Sequence, residues 1–142
     1  DLKAREKMAE ASIVAGVAFS HPRTTGSHAC SFPLTNIYGL PHGEACAFTL
    51  DYFLKFNAEH ADGDGRITAL AKDCGFNDAF EMADEITAMK KRMGMRCTLS
   101  EIGCETDEQI DELTKKSMSM LMTRNPITLT QKDIKEMYIK LK

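Results

Sequence analysis

The chain has 142 residues, of which 43% are hydrophobic and 27% charged, and a net charge of −3. That length carries a single domain with a sizeable core. The slight acidity leaves no basic stripe to attract phosphates, which argues against nucleic acid as a partner. No apolar run approaches the roughly 20 residues that span a bilayer, and the segment from Ser12 to Ser20 is far too short. The five cysteines, Cys30, Cys46, Cys74, Cys97 and Cys104, are odd in number and show no CxxC spacing. A disulfide framework or zinc knuckle is therefore not expected, and reduced thiols in a cytoplasmic protein are the simpler reading. The charged start, Asp1 to Glu10, lacks the features of a signal peptide.

The pattern is helical almost throughout, and the expected fold is an all-α, multi-helix domain. Leu2 to Phe19 is rich in Ala, Glu and Lys, with Met8, Ala11, Ala15 and Ala18 at three- and four-residue steps. Its small residues predict close packing against other helices. His21-Pro22 ends it. A second helix is expected from Thr25 to about Tyr38, broken by Gly39 and Pro41, and a third from His42 to about Phe56. Asp62-Gly63-Asp64-Gly65 resembles the start of a calcium loop but lacks the closing Glu. Asp64 is instead expected to cap a helix from Arg66 to Asp73, with Gly75 as its stop. Asn77 is expected to cap Ala79 to Met93, and Ser100 to Gly103 reads as a turn. Thr106 with Gln109 resembles a capping box ahead of Ile110 to Met120. Asn125-Pro126 breaks the chain, and Thr130 caps the last helix, Gln131 to Leu141. No run alternates long enough for a strand.

The residues that carry chemistry are few. His28 and His42 lie fourteen residues apart around a Pro-Gly turn. Two imidazoles held by one connection make half of a metal site. Zinc wants about four ligands, and no carboxylate stands at a useful helical spacing, since Glu44 falls only two residues past His42. Their neutral form is the ligand, so metal affinity should fall in mild acid. His21 and His60 read as solvent-facing loop residues. The run from Pro22 to Ser27 is polar, carries Arg23 and leads into a helix N-terminus, which suits an anion; simple capping by Thr24 or Thr25 is the alternative, and the favoured one. Met118, Met120 and Met122 read as core filler, and Lys90-Lys91-Arg92 as a solvated face.

These motifs also carry a family resemblance. AGVAFS (Ala15 to Ser20), His28, Pro33-Leu34 and Pro41-His42-Gly43 fall at the spacing of iron-containing alcohol dehydrogenases, a branch of the dehydroquinate-synthase-like fold. Asn125-Pro126 resembles a later element of the same family. The resemblance implies a two-domain oxidoreductase. Its N-terminal α/β domain binds NAD or NADP through a Gly-rich turn. Its helical C-terminal domain, matching residues 1–142 here, holds one divalent metal, Fe2+ or Zn2+, through an Asp and three His. His28 and His42 match the last two of those ligands, and the others would lie upstream of Asp1. Many members carry a further His four residues after the first of these two, where this chain has Phe32, so a proton-relay role is not implied. RTTGSHACSFPLT resembles a branch that includes phosphonoacetaldehyde reductases, which makes Arg23, Thr24 and Thr25 candidates for an anionic substrate tail.

The resemblance thus implies a small alcohol or aldehyde substrate, a homo-oligomeric parent and no hydride transfer by these 142 residues alone. The competing reading is a non-catalytic helical packing or partner-binding module with a degenerate, metal-free site.

Overall fold

A computed structural model describes all of residues 1–142. It contains eight α-helices and no strand: α1 (Leu2–Ser20), α2 (Gly26–Tyr38), α3 (His42–Phe48), α4 (Leu50–Ala61), α5 (Arg66–Asp73), α6 (Ala79–Arg92), α7 (Asp107–Ser117) and α8 (Gln131–Lys140). Short 3-10 turns cover Ser100–Ile102 and Met122–Arg124. The all-α expectation is met.

The centre is α2, which packs on α3 and α7, while α8 packs on α7 and α6 on α4. Ala29, Cys30 and Leu34 of α2 meet Phe48, Leu113 and Tyr138 in one buried cluster. Tyr138 is buried with its hydroxyl 2.8 Å from Ser117 Oγ, so its polar end is satisfied inside the core. Gly26, at the start of α2, lies so close to Phe53 that a Cβ there would meet the ring at 2.2 Å. The helix then runs through Pro33 and ends at Gly39, whose φ of +70° closes the cap with bonds from its N–H to the carbonyls of Leu34 and Thr35. That turn sends the chain back through Pro41 into α3, which lays α3 against α2.

Several local expectations are corrected. The single helix expected over 42–56 is two, broken at Thr49. Asp51 Oδ1 accepts from the Tyr52 N–H at 3.1 Å, and the Phe48 carbonyl accepts instead from Lys90 Nζ at 3.2 Å. Lys90 is therefore no solvated residue. It is 2% exposed and pairs with Asp51 Oδ1 at 2.7 Å. Lys91 and Arg92 do face solvent. Asp62 rather than Asp64 is the main cap of α5, taking the N–H groups of Ile67 and Thr68 at 2.7 and 3.0 Å; its carboxylate is thus committed to the helix. Asp78 rather than Asn77 caps α6. His60 sits in the last turn of α4, stacked on Phe56, and not in a loop. The helix expected to reach Met120 stops at Ser117, and Met120 is 76% exposed while Met122 is core. The capping boxes at Thr106 and Thr130 are both present.

The first helix departs furthest from expectation. It buries none of its residues, and Ile13, Val14 and Val17 are each more than 60% exposed. Its apolar side chains are spread around the axis, so no single stripe faces the core. A helix this long without tertiary packing is marginal in water. In the 142-residue chain, backbone amides of residues 6–19 should therefore exchange with deuterium orders of magnitude faster than those of α2. Equal protection in the two helices would contradict an unpacked α1.

Candidate metal centre and adjoining cleft

His28 lies in the first turn of α2 and His42 opens α3. Because α3 folds back on α2, the two rings meet edge to face, with centroids 4.8 Å apart. Cys46 follows His42 by one helical turn and so shares its face. Its Sγ stands 3.4 Å from His28 Nδ1 and 3.6 Å from His42 Nε2. One donor atom from each of the three lies within 4.8 Å of the others. Burial first, and the neighbouring His42 second, hold the His28 imidazole below its ordinary pKa. Both causes favour the neutral ring, the form that carries a ligand lone pair. Converging imidazoles are donor types that zinc and iron(II) accept, so these residues fit a divalent transition metal. The sequence reading missed Cys46. The signal was present as a His-x3-Cys spacing at the start of α3.

Phe32 sits one turn after His28 on the same helix. Its ring centroid is 5.2 Å from that of His28 and 6.1 Å from that of His42. The position where the resemblance implies a histidine in many members is thus an apolar wall against both imidazoles, with no proton to offer.

Glu44 does point elsewhere, as its spacing implied. It accepts from the Arg96 backbone N–H and Nε on one oxygen, and from Nη2 at 2.8 Å on the other. These bonds pull its carboxyl down to about 2 from an ordinary 4.5. They tie α3, and with it His42 and Cys46, to the segment after α6. A depressed folded-state pKa stabilises the fold above the unfolded value and loses that contribution as pH falls through the folded one. Glu44→Gln should therefore cost about 1–2 kcal/mol at neutral pH, within the range for charged hydrogen bonds after allowance for solvent at Arg96. The gap between the variant and the wild type should close as pH drops from 4.5 toward 2. Urea midpoints across that window measure it, and a pH-independent gap would rule out the ion pair as its source.

A cleft of about 470 Å³ adjoins His28. Phe19 and Leu121 give it apolar walls; Arg23, Thr24 and Arg124 give it polar ones. Arg23 has φ +70°, and its N–H closes the end of α1 on the Phe19 carbonyl at 3.0 Å. A non-glycine residue at such a φ is uncommon. Thr25 stands at the N-cap of α2 without a side-chain cap bond and does not line the cleft. Of the three residues expected around an anionic tail, the fold thus brings Arg23 and Thr24 to the cleft and leaves Thr25 outside it. Arg124, a hundred residues away in sequence, joins them without any local signal. His21 and His60 lie outside both features.

Comparison with known proteins identifies the family. Residues 1–141 match the Fe-containing alcohol dehydrogenase family, C-terminal. An alcohol dehydrogenase of Thermococcus barophilus is 32% identical over 97% of this chain and 36% of its own length. The crystal structure of sulfoacetaldehyde reductase from Bifidobacterium kashiwanohense in complex with NAD+ is 49% identical, with a TM-score of 0.92 over 98% of this chain and 36% of that one. The iron-containing alcohol dehydrogenase of Thermococcus thioreducens is 28% identical, with a TM-score of 0.84 over 99% of this chain and 38% of that one. The chain thus spans little more than a third of the length of these relatives. Matched along nearly all of its own residues, it belongs to the C-terminal part of the iron-containing alcohol dehydrogenase family.

Proposed function

We propose that residues 1–142 form the metal- and substrate-binding domain of an NAD(P)-linked aldehyde reductase or alcohol dehydrogenase whose small substrate carries an anionic tail. In this reading the nucleotide is bound mainly by a separate N-terminal domain, and the protein works in the cytoplasm as a homo-oligomer. The five free cysteines suit a reducing compartment. The observation that carries the reading is the meeting of His28 and His42 beside a cleft lined by two arginines. A divalent metal held by these imidazoles would polarise the carbonyl or alcohol oxygen, and the nicotinamide would supply or accept the hydride.

The remaining work falls to side chains of this chain. Arg23 and Arg124 hold the anionic tail, and Thr24 offers a hydroxyl beside them. Phe19 and Leu121 give the cleft apolar walls beside the two arginines. Phe32 closes the imidazole pair on one side and moves no proton. The sulfoacetaldehyde reductase relative, named for a sulfonated aldehyde, supports an anionic tail, and its NAD+ complex supports a nicotinamide.

In the complete protein, His28→Ala and His42→Ala should each lower metal affinity by more than about 100-fold, beyond the loss seen for outer-shell partners. Aldehyde reduction should fall with it. Metal content by elemental analysis, with helical circular dichroism as the folding control, is the measurement. Unchanged metal content and activity in both variants would leave the degenerate packing module as the better account.

A further inference from the structure

We infer that the amide pair of Asn57 and Asn125 is the positioning element of the anion anchor: by fastening the turn that bears Arg124 to α4, it sets where that guanidinium stands in the cleft, and so how strongly the site prefers a charged tail. The inference rests on the reading of the cleft as the seat of an anionic tail. Neither asparagine lines the cleft. Each amide donates to the other, Asn57 Nδ2 to Asn125 Oδ1 at 3.2 Å and Asn125 Nδ2 to Asn57 Oδ1 at 2.8 Å. Asn125 Nδ2 also donates to the Ile127 carbonyl at 3.2 Å. Asn125 is 7% exposed, so these bonds stand in for water that its amide has given up.

The segment between α7 and α8 has no α-helix to hold it, only the 3-10 turn Met122–Arg124. Met122 anchors one end of that turn in the core. Asn125 closes the other end, directly after Arg124, with its N–H donating to the Met122 carbonyl at 3.1 Å. Leu121 and Arg124 bracket the turn, and both line the cleft. The Arg124 guanidinium pairs with no carboxylate of the chain. Its place is therefore set by the backbone beneath it, and the side chain that fastens that backbone to a helix is Asn57.

The same helix holds the rest of the cleft. Phe53 stands one turn before Asn57 on α4, so the two share a face. The Phe53 ring packs against Gly26 at the start of α2, two residues before His28. One face of α4 thus registers both parts of the cleft: the start of α2, with Arg23 and Thr24 just ahead of it, and the turn that carries Leu121 and Arg124. An apolar contact alone tolerates sliding. A reciprocal amide pair does not, because its two bonds require one register and one orientation. An anion held by two guanidinium groups needs them at one separation, whereas a neutral tail needs neither. The pair therefore acts on selectivity and leaves the reacting carbon alone.

The test is steady-state kinetics of the complete, metal-loaded protein with a two-carbon aldehyde ending in a sulfonate, and with butanal as the neutral control. Asn57→Ala should raise KM for the sulfonated aldehyde about 3–10-fold, the equivalent of one net hydrogen bond, with kcat and the KM for butanal within about twofold of wild type. In an Arg124→Ala background, Asn57→Ala should have no further effect, since no guanidinium is left to place. The double variant Asn57→Leu with Asn125→Leu removes both partners at similar volume and leaves neither amide unpaired, so it serves where alanine fails to fold, and it should show the same split. Circular dichroism is the folding control. No change in KM for the sulfonated aldehyde, equal rises for both aldehydes, or an Asn57→Ala effect that persists undiminished without Arg124 would overturn the inference and leave the anionic-tail reading standing. An Arg124→Ala variant with the wild-type KM for the sulfonated aldehyde would remove both.

Discussion

Lys90→Ala should destabilise the domain by about 3–5 kcal/mol, the cost of removing one partner from a buried ion pair. Lys90 Nζ donates to Asp51 Oδ1 at 2.7 Å and to the Phe48 carbonyl at 3.2 Å, and both side chains of the pair are largely removed from solvent. Alanine strands the Asp51 carboxylate with only Thr87 and the Tyr52 N–H as partners. It also strands the Phe48 carbonyl at the break between α3 and α4, six residues after His42. The double variant Lys90→Met with Asp51→Leu should lose less than Lys90→Ala, because no unpaired charge remains inside. Urea denaturation of the three chains measures this. A Lys90→Ala value within about 0.5 kcal/mol of wild type, the range of ordinary surface substitutions, would mean that the pair is solvated after all.

That pair also shows where the sequence stops being readable. Lys90-Lys91-Arg92 looks like a charged face only if three consecutive residues can share one. On a helix they point some 100° apart. Lys90 instead falls in register with Ala79, Ala83 and Thr87, the face that α6 turns toward α4. The same interaction hides the break at Thr49. Residues 42–56 carry no Gly or Pro after Gly43 to stop a helix, and the stop comes from a lysine 42 residues downstream. Where helix ends are local, the reading holds: Thr106 with Gln109, Thr130, Gly39 and the Pro41-His42 start all lie where their caps and breaks put them. Asn125 gained its meaning only in three dimensions. Its amide exchanges hydrogen bonds with Asn57, 68 residues away, at 2.8 and 3.2 Å.

The candidate functional residues divide along the same line. His28 and His42 are legible because one short connection sets their separation. Cys46 was legible in principle, one turn after His42, and passes unnoticed if cysteines are read only against each other. Arg124 could not be found locally, because nothing in a 3-10 turn near the C-terminus announces a neighbour in the loop after α1. The packing expected of α1 failed for a different reason. Small residues permit close approach but supply little apolar area, and no other helix of the chain buries them.

On the proposed function, Arg23→Ala in the complete protein should cost about 1.5–3 kcal/mol of binding for an aldehyde with an anionic tail, the range for hydrogen bonds to charged groups. The guanidinium lines the cleft beside His28 and can meet a sulfonate or carboxylate bidentately. The loss should appear mainly in KM, since an anchor remote from the reacting carbon is felt equally in the ground and transition states. A neutral aldehyde of similar size should be nearly unaffected. Alanine keeps the backbone problem constant, because it is no easier to hold at φ +70° than arginine is. The comparison therefore isolates the side chain. Arg124→Ala should give the same pattern, and the double variant should lose less than the sum if one anion is shared by both arginines. Salt should weaken binding of the anionic aldehyde in the wild type more than in either variant, as screening requires of a partly exposed pair. Equal effects of Arg23→Ala on charged and neutral aldehydes would assign the guanidinium to closing the end of α1, with no part in choosing the substrate.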